Sequence, residues 1–125
     1  MTDYSQYGAL TLAYIGDTVY ELYNRDRAVR KADKNVHKLH EECSHRANAA
    51  AQARIAEYLE PFLTEEELAV YHRGRNAAVH TKAKNATVMD YHKATGLEAV
   101  IGYLYLTEQK TRMTELIEKG WAFYE

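Results

Sequence analysis

The chain has 125 residues but only one cysteine, one proline and six glycines, and it contains no long apolar run. Each shortage excludes something. Cys43 cannot close an intramolecular disulfide, and with no signal-like N-terminus a reducing cytosol is the expected setting. With Pro61 the sole proline and glycine scarce, helices are favoured over a strand-and-turn architecture. The richest apolar stretch, Leu97 to Leu106, is interrupted by Glu98 and too short to span a bilayer, so no membrane role is expected. Charge of one sign is not in excess either: the formal net charge is −2, which alone counts against a nucleic-acid binder.

What is present is more specific. Hydrophobic residues make up 46% of the chain, as in an ordinary globular protein, and the length suits one compact domain covering 1–125. The charges are unevenly placed. From Tyr71 to Met89 there is no acid, while Arg73, Arg75, Lys82 and Lys84 fall there with His72 and His80. The acids gather elsewhere, notably at Glu65, Glu66 and Glu67.

The periodicity predicts four or five helices. The first runs from about Gly8 to Arg27, with Leu12, Ile15, Val19, Leu22 and Tyr23 as its buried stripe. Gly16 inside it costs roughly 1 kcal/mol relative to alanine, which suggests close packing against a backbone or ligand. The second runs from about Val36 to Leu59, capped by Asn35 and ended by Pro61, with an alanine-rich centre from Ala47 to Ala53. The third follows a capping box of Thr64 and Glu67 and continues to about Ala78, before a basic loop from His80 to Asn85. A fourth spans about Thr87 to Leu106, as one helix or as two divided at a second capping box of Thr95 and Glu98. The last covers roughly Arg112 to Tyr124.

Two acids stand in apolar surroundings, Asp17 and Glu98. An ionised carboxylate on a packed helix needs compensation. A hard cation such as magnesium, which prefers oxygen ligands, would provide it; so would a salt bridge or a cap, and Glu98 could simply cap with Thr95. Spacing does not bring the two acids together. The second signal is Arg73, Arg75 and Asn76 followed by Lys82, Lys84 and Asn85, where guanidinium and ammonium groups suit phosphates and amides suit sugar or backbone contacts. The competing reading is a solvated, cationic helix end. His37, His40 and His45 read as a solvated face rather than a zinc site. Tyr20, Tyr23, Tyr103 and Tyr105 read as core or interface residues. Glu21 shares a face with Asp17 and reads as an exposed helix acid.

The segment Ala13-Tyr14-Ile15-Gly16-Asp17-Thr18-Val19-Tyr20-Glu21 resembles the signature helix of ribonuclease III domains, with its glycine-aspartate pair in an apolar helix. Glu98-Ala99-Val100-Ile101-Gly102-Tyr103-Leu104-Tyr105-Leu106 resembles that family's second motif, a glutamate-alanine pair before an apolar run with glycine. Between them, Arg73-Gly74-Arg75-Asn76-Ala77 and Lys84-Asn85 are similar to stretches of the mini-ribonuclease III branch. That branch lacks the double-stranded-RNA-binding domain of the classical enzymes, which this length does not accommodate. The resemblance departs at two positions: Ala13 and Thr95 stand where the classical pattern has further carboxylates.

The resemblance implies an all-α helical bundle that forms a homodimer, with a valley for the RNA duplex. It implies a cytoplasmic, magnesium-dependent endoribonuclease, manganese substituting, that leaves 5′-phosphate and 3′-hydroxyl ends. Asp17 and Glu98 would be catalytic and hold the metal. Arg73, Arg75, Asn76, Lys82, Lys84 and Asn85 would hold the RNA. The implied substrate is double-stranded or structured RNA, foremost the precursor of large-subunit (23S) ribosomal RNA, with a ribosomal protein on that substrate as a further partner. Two alternatives remain open on the residues alone: a non-catalytic module of the same fold that binds RNA or ribosomes, and a helical interaction protein with no RNA role.

Overall fold

The computed structural model describes residues 2–77 and 87–125. Among them every regular element is helical: α1 (Ala9–Lys31), α2 (Val36–Ala47), α3 (Ala49–Leu59), α4 (Glu65–Ala77), α5 (Val88–Leu106) and α6 (Lys110–Tyr124), with short 3-10 turns at Tyr4–Gln6 and Glu60–Phe62. No helix among the described residues is long and apolar enough to cross a membrane.

The bundle is organised around α5, which packs against α1, α3, α4 and α6. Its sequence explains the central place: from Ala94 to Leu104 every residue except Glu98 is buried, so it is apolar on nearly all sides. It begins at Thr87, whose hydroxyl accepts from the Asp90 N–H at 3.0 Å, and runs unbroken. The capping box of Thr95 and Glu98 therefore does not form. Thr95 instead donates its hydroxyl to the Tyr91 carbonyl one turn back, at 3.0 Å.

The box at Thr64 forms as the sequence predicts. The Thr64 N–H donates to Glu67 at 2.9 Å, and the Glu67 N–H donates to the Thr64 hydroxyl at 3.1 Å. Glu67 is also clasped by Arg112 of α6, through bonds of 2.8 and 2.9 Å. Burial pushes the Glu67 carboxyl up, but Arg112 and the Thr64 cap outweigh it, so it lies below the usual range.

Two expectations are corrected. The long second helix is two, because Asn48 adopts an extended conformation (φ −70°, ψ 158°) between α2 and α3. Its side chain accepts from the Ala51 N–H at 2.8 Å and donates to the Ser44 carbonyl at 3.1 Å, closing one helix and opening the next. The stripe on α1 is corrected at one residue: Leu12 and Val19 are buried and Ile15 and Tyr23 pack against the core, but Leu22 is 63% exposed. Gly16, Tyr20, Asn24 and Ala28 complete the buried face.

A buried polar cluster fixes α2 against α1 and α6. Arg46 is 3% exposed and donates to the Asn24 side chain at 2.7 Å and to Glu125 at 2.9 Å. The Tyr20 hydroxyl donates to the Arg46 carbonyl at 2.6 Å and accepts from the Trp121 indole at 2.9 Å. With every member partnered, burial of these groups is not destabilising.

Candidate active site

The crossing of α1 and α5 builds the site. A Cβ on Gly16 would fall 1.8 Å from the Glu98 carbonyl oxygen, and one on Gly102 would fall 1.9 Å from the Leu12 carbonyl oxygen. Only glycine at both positions lets the two backbones touch. The contact joins the residue before Asp17 to Glu98 itself, so the two acids, far apart in sequence, come side by side.

Asp17 is exposed and Glu98 half-buried. The Glu98 carboxyl is pushed up to about 9. Burial is the largest cause, followed by the Asp17 charge and a hydrogen bond to Asp17; a hydrogen bond from Gln52 of α3 acts the other way. Ionisation of Glu98 is thus suppressed beside Asp17, and a cation there would relieve it. The pair's donor set, two carboxylates with an amide beside them, fits a hard divalent cation that takes oxygen ligands.

The other nearby candidates do not enlarge the acid cluster. Ala13 is buried and apolar, and the Thr95 hydroxyl is turned back to its own helix. Glu21 pairs with Arg25 at 2.9 Å on the exposed face. Among the described residues no group of three or more His, Cys, Asp and Glu side chains could hold a metal. His37 pairs with Glu41 at 2.8 Å on the surface, in keeping with a solvated face.

The basic signal is placed in part. Gly74 of α4 packs on Gly96 and Ala99 of α5, so Arg73 and Arg75 flank the stretch that carries Glu98. The exposed Arg73 guanidinium donates to the Ser5 carbonyl at 2.7 Å and to the Tyr7 carbonyl, tying down the N-terminal turn. Arg75 reaches the Met89 sulfur at 3.6 Å, and Asn76 is exposed. Lys82, Lys84 and Asn85 lie outside the described residues. Gln52 was not predicted as part of the site. Its signal was available as a single amide within the alanine run from Ala49 to Ala56, where nothing about helix formation asks for one.

A helical bundle that joins an aspartate and a glutamate through a glycine-lined crossing has the arrangement of a ribonuclease III domain. The family model described as Ribonuclease III domain matches residues 10–109, and the chain belongs to that family, the endoribonucleases that act on double-stranded RNA. Within it the chain is similar to the mini-ribonuclease 3 of Enterococcus faecalis, 48% identical over 119 residues that cover 94% of this chain and 90% of the relative. It is 43% identical to the mini-ribonuclease 3 of Clostridium tetani over 124 residues, covering 98% of this chain and 82% of the relative. A crystal structure of a Fusobacterium nucleatum protein superposes with a TM-score of 0.86 at 30% identity, covering 94% of each chain.

Proposed function

We propose that this chain is a single catalytic domain, 1–125, that cleaves double-stranded or structured RNA with magnesium held by Asp17 and Glu98, manganese substituting. The observation that carries the reading is the juxtaposition of these two acids at the crossing of the two family motifs. A cation bound there would supply an activated water for in-line attack on a phosphodiester and would offset charge on the phosphate. Asp17, exposed at the edge of the site, would be the more accessible of the two ligands. Glu98, set deeper and held by the packing of α5, would have to ionise to serve as a ligand. The products carry 5′-phosphate and 3′-hydroxyl ends.

Arg73, Arg75 and Asn76, with Lys82, Lys84 and Asn85, hold the RNA backbone. A-form RNA is recognised mainly by shape, phosphates and 2′-hydroxyls, so a modest basic edge suits such an enzyme despite the net negative charge. The working form is a homodimer. What supports this is the exposed apolar side chains that α1 carries, Leu10, Tyr14, Leu22 and Val29, Tyr14 to 82%. The substrate class we favour is the precursor of large-subunit ribosomal RNA, met in the cytoplasm with a ribosomal protein bound to it.

The test is incubation of long duplex RNA and of a precursor-rRNA fragment with the purified protein, in magnesium and in chelator. Magnesium-dependent cuts with 5′-phosphate ends support the reading. Tight binding of both RNAs with no cut to either overturns it in favour of a non-catalytic binding module.

A further inference from the structure

Gly120 of α6 is buried against α3, where a Cβ would stand 2.5 Å from the Ile55 Cγ2. This close approach brings the outward residues of α6 beside those of α3 and of the turn that follows it. The Phe123 ring stacks on the Tyr58 ring, with centroids 4.1 Å apart and planes 6° from parallel. Tyr58 also lies 5.5 Å from Phe62, and the Lys119 ammonium sits 4.1 Å from the Phe62 centroid. Tyr58 packs against the core, but Phe62 is 45% exposed and Phe123 49%. Arg54, one helical turn before Tyr58, adds a second partly exposed cation. Apolar side chains scattered singly on a surface need no explanation, whereas rings gathered into one exposed patch mark a contact surface.

We propose that this patch is a stacking platform for an unpaired nucleotide of the RNA substrate: the base continues the stack of Tyr58 and Phe123, and Lys119 meets its phosphate. The inference rests on the RNA reading of the chain and adds a part of the substrate which that reading leaves open. A parallel pair of rings offers a flat outer face that a planar base extends, as in other platforms for single strands. Cations beside the rings complement the phosphate that follows each base. The patch is too small for a stable protein partner, which covers roughly 800 Å² on each side, whereas one base needs one ring face. The rings stand on α3, α6 and the turn between α3 and α4, not on the two helices that carry Asp17 and Glu98. The nucleotide they take therefore lies beyond the paired stretch that is cut.

The test compares one RNA duplex with blunt ends and the same duplex with an unpaired oligouridine extension of about ten nucleotides. Binding to the full chain is followed in chelator, by anisotropy and by the fluorescence of a 2-aminopurine placed in the extension, which stacking quenches. Phe123→Leu removes the ring and Phe123→Trp keeps a stacking face; the position is half-exposed, and thermal melts check that both variants are folded. The expected result is that the unsubstituted chain binds the extended duplex about 5- to 150-fold more tightly than the blunt one, the range for one stacked base. Phe123→Leu should lose the quenching and most of that difference while binding the blunt duplex unchanged, and Phe123→Trp should keep both. A folded Phe123→Leu chain that still quenches the 2-aminopurine overturns the platform. Equal binding of the two duplexes by the unsubstituted chain also overturns it, and leaves the patch to a protein partner. If the unsubstituted chain binds neither duplex, the RNA reading itself falls, and this inference with it.

Discussion

Gly16 lies directly on the carbonyl of Glu98, so close that a Cβ on residue 16 would stand 1.8 Å from that oxygen. The obstruction is backbone, which cannot swing aside as a flexible side chain could. Gly16→Ala is therefore expected to cost about 3 kcal/mol or more, at or beyond the upper end for overpacked interiors, and to force Asp17 away from Glu98. Urea unfolding checks the stability, and loss of cleavage in whatever folded protein remains checks the geometry. Gly102→Ala should behave alike, since its Cβ would meet the Leu12 carbonyl oxygen at 1.9 Å.

The Tyr20 hydroxyl serves two partners, donating to the Arg46 carbonyl at 2.6 Å and accepting from the Trp121 indole at 2.9 Å. Tyr20→Phe keeps the ring and leaves both partners buried and unmatched. The expected loss is about 2 kcal/mol, read as a lower urea midpoint with an unchanged slope. Burial dominates the environment of this phenol and pushes it up to about 12, so the bond survives through the alkaline range.

Asn48 both ends α2 and begins α3. Asn48→Ala removes the acceptor for the Ala51 N–H and should cost about 1 kcal/mol. Asn48→Asp keeps the acceptor and is expected to restore most of that loss, as thermal melts of the two variants would show.

Much of this was legible in the sequence, and the failures share a cause. The box of Thr64 and Glu67 could be read because capping is local chemistry written within four residues. The two acids could be found because each interrupts an apolar helix. Their meeting could not be found from spacing, since it depends on two backbones touching at Gly16 and Gly102; Gly16 signals a close approach in the sequence, and the structure bears that out, but its partner is not written there. Leu22 departs from the stripe because the buried position in that turn is taken by Asn24, which hydrophobicity does not mark. Asn48 was hidden inside an alanine-rich stretch whose propensity favours continuing the helix, and tertiary bonds at Tyr20 and Arg46 favour the break.

Without a cation, the Glu98 carboxyl sits at about 9, raised by burial first and then by Asp17. A carboxyl raised on folding holds its proton in the folded chain after the unfolded chain has lost it. Stability of the metal-free protein should therefore fall as pH rises from the ordinary carboxylate range toward about 9, and level off beyond. Glu98→Gln should flatten this slope. Cation binding should release a proton near neutral pH, seen as a buffer-dependent heat in titration calorimetry.

The most direct test of the central claim is cleavage of duplex RNA in magnesium by Asp17→Asn and Glu98→Gln proteins shown to be folded, with RNA binding measured in parallel. The account predicts that both variants bind RNA about as well as the unsubstituted chain and cut it at rates lower by at least about a thousandfold, a loss of about 4 kcal/mol in transition-state stabilisation. Cleavage that persists in either folded variant would contradict it, and would place the chemistry away from the crossing of α1 and α5.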